Sequence, residues 1–257
     1  MERRDFMKRG AAAAALATLG AATTSRWFGP EPGRLTSRPH KSTREATPGE
    51  HVLDEARDGR RAILLVPSTY DNSRPAPFLL ALHGATGSAD TMLRGSRAAA
   101  ESHGVVMLVP SSRDYTWDAI HGAYGDDLAH IDRLMSDVFD RCAIDSGKVA
   151  VCGFSDGASY ALSIGLQNGD VFTHVVAHSA GFIISGPPRG KPKVFLSHGR
   201  QDQILPIDQC GRRIAAQLRR AGYDLRFDEF DGGHLATPEM RDSAMQWFVG
   251  DRARRPS

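Results

Sequence analysis

Residues 148–153 form a short, mostly apolar run that the chain leaves through Gly153-Phe154-Ser155-Asp156-Gly157, directly before a stretch of helical composition at 155–167. No other feature restricts the fold so strongly. The pattern G-x-S-x-G between a buried strand and a helix describes a very tight bend. Side chains two residues before and two residues after the serine would collide there, so both positions must be nearly bare. Such a turn holds the serine backbone in strain and lifts its hydroxyl above the edge of a sheet. It also aims the first free N–H groups of the helix at any anion that forms nearby. In isolation the pentapeptide is a moderate signal, and a plain strand-to-helix turn with a serine cap is the weaker alternative. Its meaning depends on whether the chain supplies a base, an acid and an anion site at the same sheet edge.

The rest of the chain alternates. Residues 51–56 and 61–67 flank Asp58-Gly59-Arg60 and predict an antiparallel hairpin. Apolar runs at 78–82 and 105–109 predict strands buried on both faces, with a helix over 89–102 between them. Over 126–142, Leu128, Ile131, Leu134, Met135, Val138 and Phe139 recur at helical spacing. Further strands are predicted at 171–177, 194–197 and 225–230, and further helices at 207–221 and 238–248. A hairpin followed by repeated strand–helix units predicts an α/β fold, a mostly parallel sheet with helices on both faces. Right-handed crossovers then gather the strand-to-helix loops at one edge, where such sheets carry their ligands.

A serine hydroxyl becomes a nucleophile only when a base takes its proton, and the base needs an acid to orient it. In this architecture the order along the chain is serine, acid, histidine. Asp202 lies in the loop directly after the strand at 194–197, and His234 lies in the glycine-rich stretch Phe230-Asp231-Gly232-Gly233-His234 after the last strand. Ser155, Asp202 and His234 are therefore the expected catalytic residues. The tetrahedral oxyanion needs two N–H donors. Asp156 would supply one, and the loop Leu82-His83-Gly84-Ala85-Thr86-Gly87 the other, from Ala85 with Thr86 as the next choice. His83 reads as a structural residue of that loop rather than a catalyst, and with His178 and Trp117 it is a candidate contact to substrate. His178 ends the strand after the elbow helix and is expected to line the floor of the site. Tyr115 and Trp117 should lie on a loop at the catalytic edge, where Trp117 either walls an acyl or aryl pocket or packs the loop. His198 is expected to pack or hydrogen-bond within the Asp202 loop. His121, His130 and His174 are read as surface or cap residues, and Asp126 and Asp127 as helix caps.

The ends of the chain differ from its body. Arg3, Arg4, Phe6 and Lys8 precede a short Ala- and Gly-rich apolar stretch, which reads over 1–25 as a twin-arginine-type signal peptide for export to the periplasm or beyond. Residues 26–50, dense in Pro, Arg, Thr and Ser, read as a disordered linker, 51–250 as one catalytic domain and 251–257 as a tail. No stretch after the signal reaches the length of a membrane span. A net charge of +2, with much of the excess at the termini, argues against a nucleic-acid partner. The three cysteines, Cys142, Cys152 and Cys210, have no metal-ligand spacing. Cys152 falls in the strand before the elbow as a small core residue, and a Cys142–Cys152 disulfide is compatible with export.

With Leu80 to Ser88, Val149 to Ser159, Ser197 to Pro206 and Phe230 to Leu235 in hand, the chain resembles the α/β-hydrolases. Within them it is similar to the phospholipase/carboxylesterase and polyhydroxybutyrate-depolymerase-like esterases. The resemblance covers roughly residues 50–250 and implies a cofactor-free, metal-free serine esterase acting through an acyl-enzyme. Ala158 stands where many relatives have a second glycine after the elbow. Only residues 181–191 separate two core strands where many lipases insert a lid. An open site follows, suited to short acyl or aromatic esters and to ester polymer ends. The same machinery would also serve a thioesterase, a serine peptidase or a polyester depolymerase, and a catalytically silent binding protein is the reading from another class.

Overall fold

A computed structural model describes residues 31–55 and 61–250. The export segment at 1–25, the first residues of the linker, the Asp58-Gly59-Arg60 turn and the tail at 251–257 lie outside the described residues. Eight strands build one sheet: β1 (Gly49–Glu55), β2 (Arg61–Val66), β3 (Ala76–Leu82), β4 (Val106–Pro110), β5 (Ile144–Phe154), β6 (His174–His178), β7 (Lys193–Gly199) and β8 (Leu225–Phe230). The helices are α1 (Ala89–Ser102), α2 (Asp118–His121), α3 (Asp126–Arg141), α4 (Asp156–Gln167), α5 (Gly211–Arg220) and α6 (Pro238–Gly250). The short α2 is the one element that the periodicity did not announce, since four residues carry no period.

The strand order is β1-β2-β4-β3-β5-β6-β7-β8. β1 pairs antiparallel with β2, and β2 with β4, while every other neighbour is parallel. The expected α/β sheet with an N-terminal hairpin is present. β3 lies between β4 and β5, so the strand order reverses there. Side chains alternate along each strand. Phe78, Leu80 and Leu82 enter the core layer shared with α3, α4 and α5, whereas Leu79 and Ala81 enter the layer under α1 and α6. The loop after β3 therefore leaves toward α1 on one face, and the loop after β5 leaves toward α4 on the other. Between them opens the crevice where doubly wound sheets hold ligands. The same alternation keeps two cysteines apart. Cys142 belongs to the first layer and Cys152 to the second, and all three cysteines are free.

The expected disordered linker is corrected over 31–48, which is an ordered strap. Leu35 and Ala46 are buried in the first core layer. Arg34 donates to Gln167 O, to Asn168 Oδ1 and to both oxygens of Asp170, and the Leu35 N–H donates to Asn168 Oδ1. The Thr36 and Ser37 N–H groups donate to Asp132, and those of Thr43 and Arg44 to Asp140 O. The composition concealed this because hydrogen bonds to single side chains hold the strap, and these leave no apolar period. The Arg34 guanidinium holds the Asp170 carboxyl well below the usual carboxylate range. The pair therefore supports the strap above that range and loses its contribution as pH falls through the depressed value. Replacing Arg34 with alanine is expected to speed proteolysis within 31–48 at neutral pH several-fold; cleavage at the wild-type rate would mean that the pair does not anchor the strap.

Candidate active site

The site is built first on the bend between β5 and α4. Ser155 sits there at φ 56° and ψ −119°, a left-handed backbone that costs a non-glycine residue on the order of 1–3 kcal/mol. Its N–H donates to His178 O at 3.0 Å, and its own carbonyl accepts from Ala158 and Ser159. A Cβ at Gly153 would lie 2.1 Å from Gly157 O, and one at Gly157 would lie 2.3 Å from His83 O. Both glycines are needed for the reason the sequence suggested.

The loops after β7 and β8 bring the next two groups. His234 Nε2 lies 2.9 Å from Ser155 Oγ, and His234 Nδ1 lies 2.7 Å from Asp202 Oδ2. An ionised carboxylate only accepts, so Nδ1 carries the proton and Nε2 is left to accept from the serine hydroxyl. The Asp202 side chain is fully buried, and its Oδ1 accepts from the Ile204 and Leu205 N–H groups. The two loops are tied together: Arg200 N–H donates to Phe230 O, and Gln201 N–H to Gly232 O. The Phe154 ring packs against the imidazole with centroids 4.9 Å apart. Three residues far apart in sequence thus form one chain of hydrogen bonds.

Two free donors lie close to the serine in the chain or in space: Asp156 follows it, and a Cβ on Gly84, the neighbour of Ala85, would lie 3.2 Å from Ser155 Cβ. The N–H groups of Ala85 and Asp156 have no acceptor among the described residues. Thr86, the next choice, is excluded, because its N–H donates to Tyr115 O at 2.6 Å. Thr86 adopts φ 62° there. The Asp156 carboxylate is held by Thr116 Oγ1 at 2.8 Å. A hydroxyl, a base with a fixed tautomer and two unpaired N–H groups at one edge can add a nucleophile to an acyl carbon and hold the resulting oxyanion. The anchoring of Thr86 and Asp156 by residues 115–116 was not foreseen; a backbone carbonyl and a lone threonine leave no signal in sequence.

The structure withdraws three candidate substrate contacts. His83 is buried, Ser112 N–H donates to its Nε2, and its Nδ1 bonds Gly84 O, so both ring nitrogens are committed to the loop. Trp117 is fully buried, donates from Nε1 to His83 O and packs against the His83 and Tyr160 rings. Its loop lies at the catalytic edge as expected, but the indole packs that loop and forms no wall. His178 contributes its carbonyl to Ser155, while its buried side chain lines a small pocket with Cys152, Ser96 and Arg241. Its Nδ1 lies 2.6 Å from Ser197 Oγ, and burial, aided by Arg241, pushes its pKa down to about 3. His130 and His174 are also buried, not surface residues. His174 fills the space beside Trp247 and Phe248. Asp127 was expected to cap its own helix, but the helix carries no side-chain cap at its N-cap, Gly125, and the Asp127 carboxylate accepts from the Arg113 and Asp118 N–H groups.

Comparison with known proteins follows the same line. A family model described as "Putative esterase" matches residues 55–203, a span that holds Ala85, Ser155 and Asp202 and stops short of His234. Feruloyl esterase C of Emericella nidulans is 26% identical over 214 residues, covering 70% of this chain and 78% of that protein. A fluorophosphonate-binding serine hydrolase of Staphylococcus aureus, FphF, superposes with a TM-score of 0.63 at 19% identity, over 80% of this chain and 100% of that one. A CE1 ferulic acid esterase from Anaeromyces mucronatus superposes with a TM-score of 0.60 at 17% identity, over 80% of this chain and 92% of that one.

Proposed function

This chain belongs to the family of that esterase model and is a carboxylic ester hydrolase; from that premise we propose a serine esterase, exported, acting on aromatic or short acyl esters. One observation carries the mechanism: the hydrogen-bond chain Asp202–His234–Ser155 ends beside the unpaired N–H groups of Ala85 and Asp156. Ser155 Oγ attacks the ester carbonyl while His234 Nε2 takes its proton. Negative charge develops on the carbonyl oxygen and is held by the two N–H groups. His234 then protonates the leaving alcohol, leaving Ser155 acylated. Water enters by the reverse route, activated by His234, and frees the acid. Asp202 keeps the imidazole in the required tautomer throughout.

The substrate reading rests on the rim. Tyr115, Ile204 and Leu235 are three of the four large apolar side chains exposed among the described residues. They sit on the loops that fix Thr86, Asp202 and His234. Apolar side chains around a polar centre fit an acyl or aryl group that is only partly enveloped. The connection from β6 to β7 carries no helix that could serve as a cap. Relatives named for feruloyl esters support the aromatic choice. Export is read from residues 1–25, and no helix among the described residues is long and apolar enough to cross a membrane.

Two measurements test this reading. A fluorophosphonate probe is expected to label wild-type protein once, at Ser155, and labelling elsewhere would displace the nucleophile. A series of p-nitrophenyl esters is expected to peak between two and six acyl carbons, with methyl ferulate also turned over. A maximum at twelve carbons or longer would overturn the open-site argument.

A further inference from the structure

Asp202 is bound by more groups than its place beside His234 requires. Oδ1 accepts the Ile204 and Leu205 N–H groups at 2.9 and 2.8 Å. Oδ2 accepts His234 Nδ1–H at 2.7 Å and also lies 3.3 Å from His198 Nε2. His198, near the end of β7, is 1% exposed, and its Nε2 is 2.7 Å from Leu205 O. A carbonyl cannot donate, so this nitrogen carries the proton. Leu205 O takes this N–H, and Asp202 Oδ2, 3.3 Å from the same nitrogen, faces its partial positive charge as a longer second contact. The ring is fitted closely: a Cβ on Gly211, the first residue of α5, would lie 2.8 Å from His198 Nδ1.

The groups facing this ring are few. From its own loop come Asp202 and Leu205 O, and from the loop after β8 comes His234. At the start of α5, burial pushes the Cys210 thiol up and keeps it neutral, with Arg213 one turn further on. On β6, His178 is neutral and bonded to Ser197. Burial holds the His198 pKa below its ordinary value, against the opposing pull of Leu205 O and Asp202. A neutral, buried donor thus touches the carboxylate oxygen that holds His234.

We propose that His198 is a positioning residue, whose Nε2–H fixes the Asp202 carboxylate and draws charge from the oxygen that His234 uses. The proposal rests on the serine-esterase reading above. Two consequences follow. Without this contact Oδ2 faces His234 alone while the Ile204 and Leu205 N–H groups still hold Oδ1, so the oxygen that orients His234 is less firmly placed and kcat should fall while KM stays nearly constant. More negative charge would also face the His234 imidazolium, so the acid limb of the kcat/KM profile should move to higher pH.

The test compares His198→Leu, which removes the donor at similar volume, with His198→Gln, whose amide can reach the same two acceptors. On p-nitrophenyl acetate, His198→Leu is expected to lose about tenfold in kcat, the size of one charge-assisted hydrogen bond, with the acid limb raised by about half a pH unit. His198→Gln should recover most of both. The His234 Nδ1–H proton resonance should shift in His198→Leu and return in His198→Gln. A folded His198→Leu with the wild-type profile and resonance would overturn the proposal. Equal losses in both variants with no pH shift would also overturn it, by reducing His198 to packing. Should the leucine variant not fold, His198→Asn, whose amide falls short of Asp202, takes its place. If the wild type hydrolyses no ester, the function proposed above fails on its own, and the resonance still decides the role of His198.

Discussion

Replacing Ser155 with alanine is expected to lower kcat/KM on a p-nitrophenyl ester by on the order of 10⁴- to 10⁶-fold. The magnitude follows from what the variant retains. The Ala85 and Asp156 N–H groups would still polarise the carbonyl, and His234 would still activate a water, so some catalysis over solution should survive. The covalent route would be closed. Ser155 loses one hydrogen bond to His234 and keeps its left-handed backbone, since alanine meets the same steric limits there as serine. The melting temperature should therefore move by only a few degrees. His234→Ala should cost a similar factor, and the double variant should be no worse than either single one, because base and nucleophile act as a unit. Additive losses in the double variant would mean that the two residues serve separate steps. Undiminished turnover by Ser155→Ala would remove Ser155 from the mechanism.

The catalytic loops were legible because their chemistry restricts residue type and place together. A strained serine needs bare neighbours, and its base and acid must follow particular strands in a particular order. Gly153, Gly157, Asp202 and His234 therefore stand out from a single sequence. The two oxyanion donors could be placed by the same reasoning, with Ala85 ahead of Thr86, but the contact that separates Ala85 from Thr86 could not be read there. That contact is the Tyr115 carbonyl taking the Thr86 N–H, and backbone carbonyls are the same in every residue. Trp117 was ambiguous for a different reason. An indole beside a site can face either way, and here its N–H found His83 O, which settles the ring inside. The strap at 31–48 was misread because its hold on the body comes from Arg34, Asn168, Asp132 and Asp170, four polar residues scattered over the chain. Periodicity reports apolar faces, and a segment pinned by individual hydrogen bonds has none.

Gly157→Ala is expected to be among the most damaging single methyl groups that can be added near the site. Helix propensity alone argues the other way. Gly157 is the second residue of α4, and alanine in a helix interior is favoured over glycine by up to about 1 kcal/mol. Packing decides otherwise. The new Cβ would lie 2.3 Å from His83 O and 2.4 Å from Leu82 O, both backbone atoms with no rotamer to change. The end of β3 would have to move, and it is anchored from both sides: Trp117 Nε1 donates to the same His83 carbonyl, and Ser112 N–H holds the His83 ring. A cost of about 3 kcal/mol or more is expected, a fall in melting temperature of roughly 6–12 °C for a domain of this size. Activity should fall further than stability alone explains. Ala85 follows His83 by two residues, so whatever relieves the clash displaces an oxyanion donor, and a misplacement of about 1 Å can cost on the order of 100-fold. Gly250→Ala is the control, since a Cβ there meets nothing within 4 Å. A Gly157→Ala protein that melts with the wild type and turns over esters at the wild-type rate would show that α4 can slide away from β3, and the rigid elbow on which this mechanism depends would have to be abandoned.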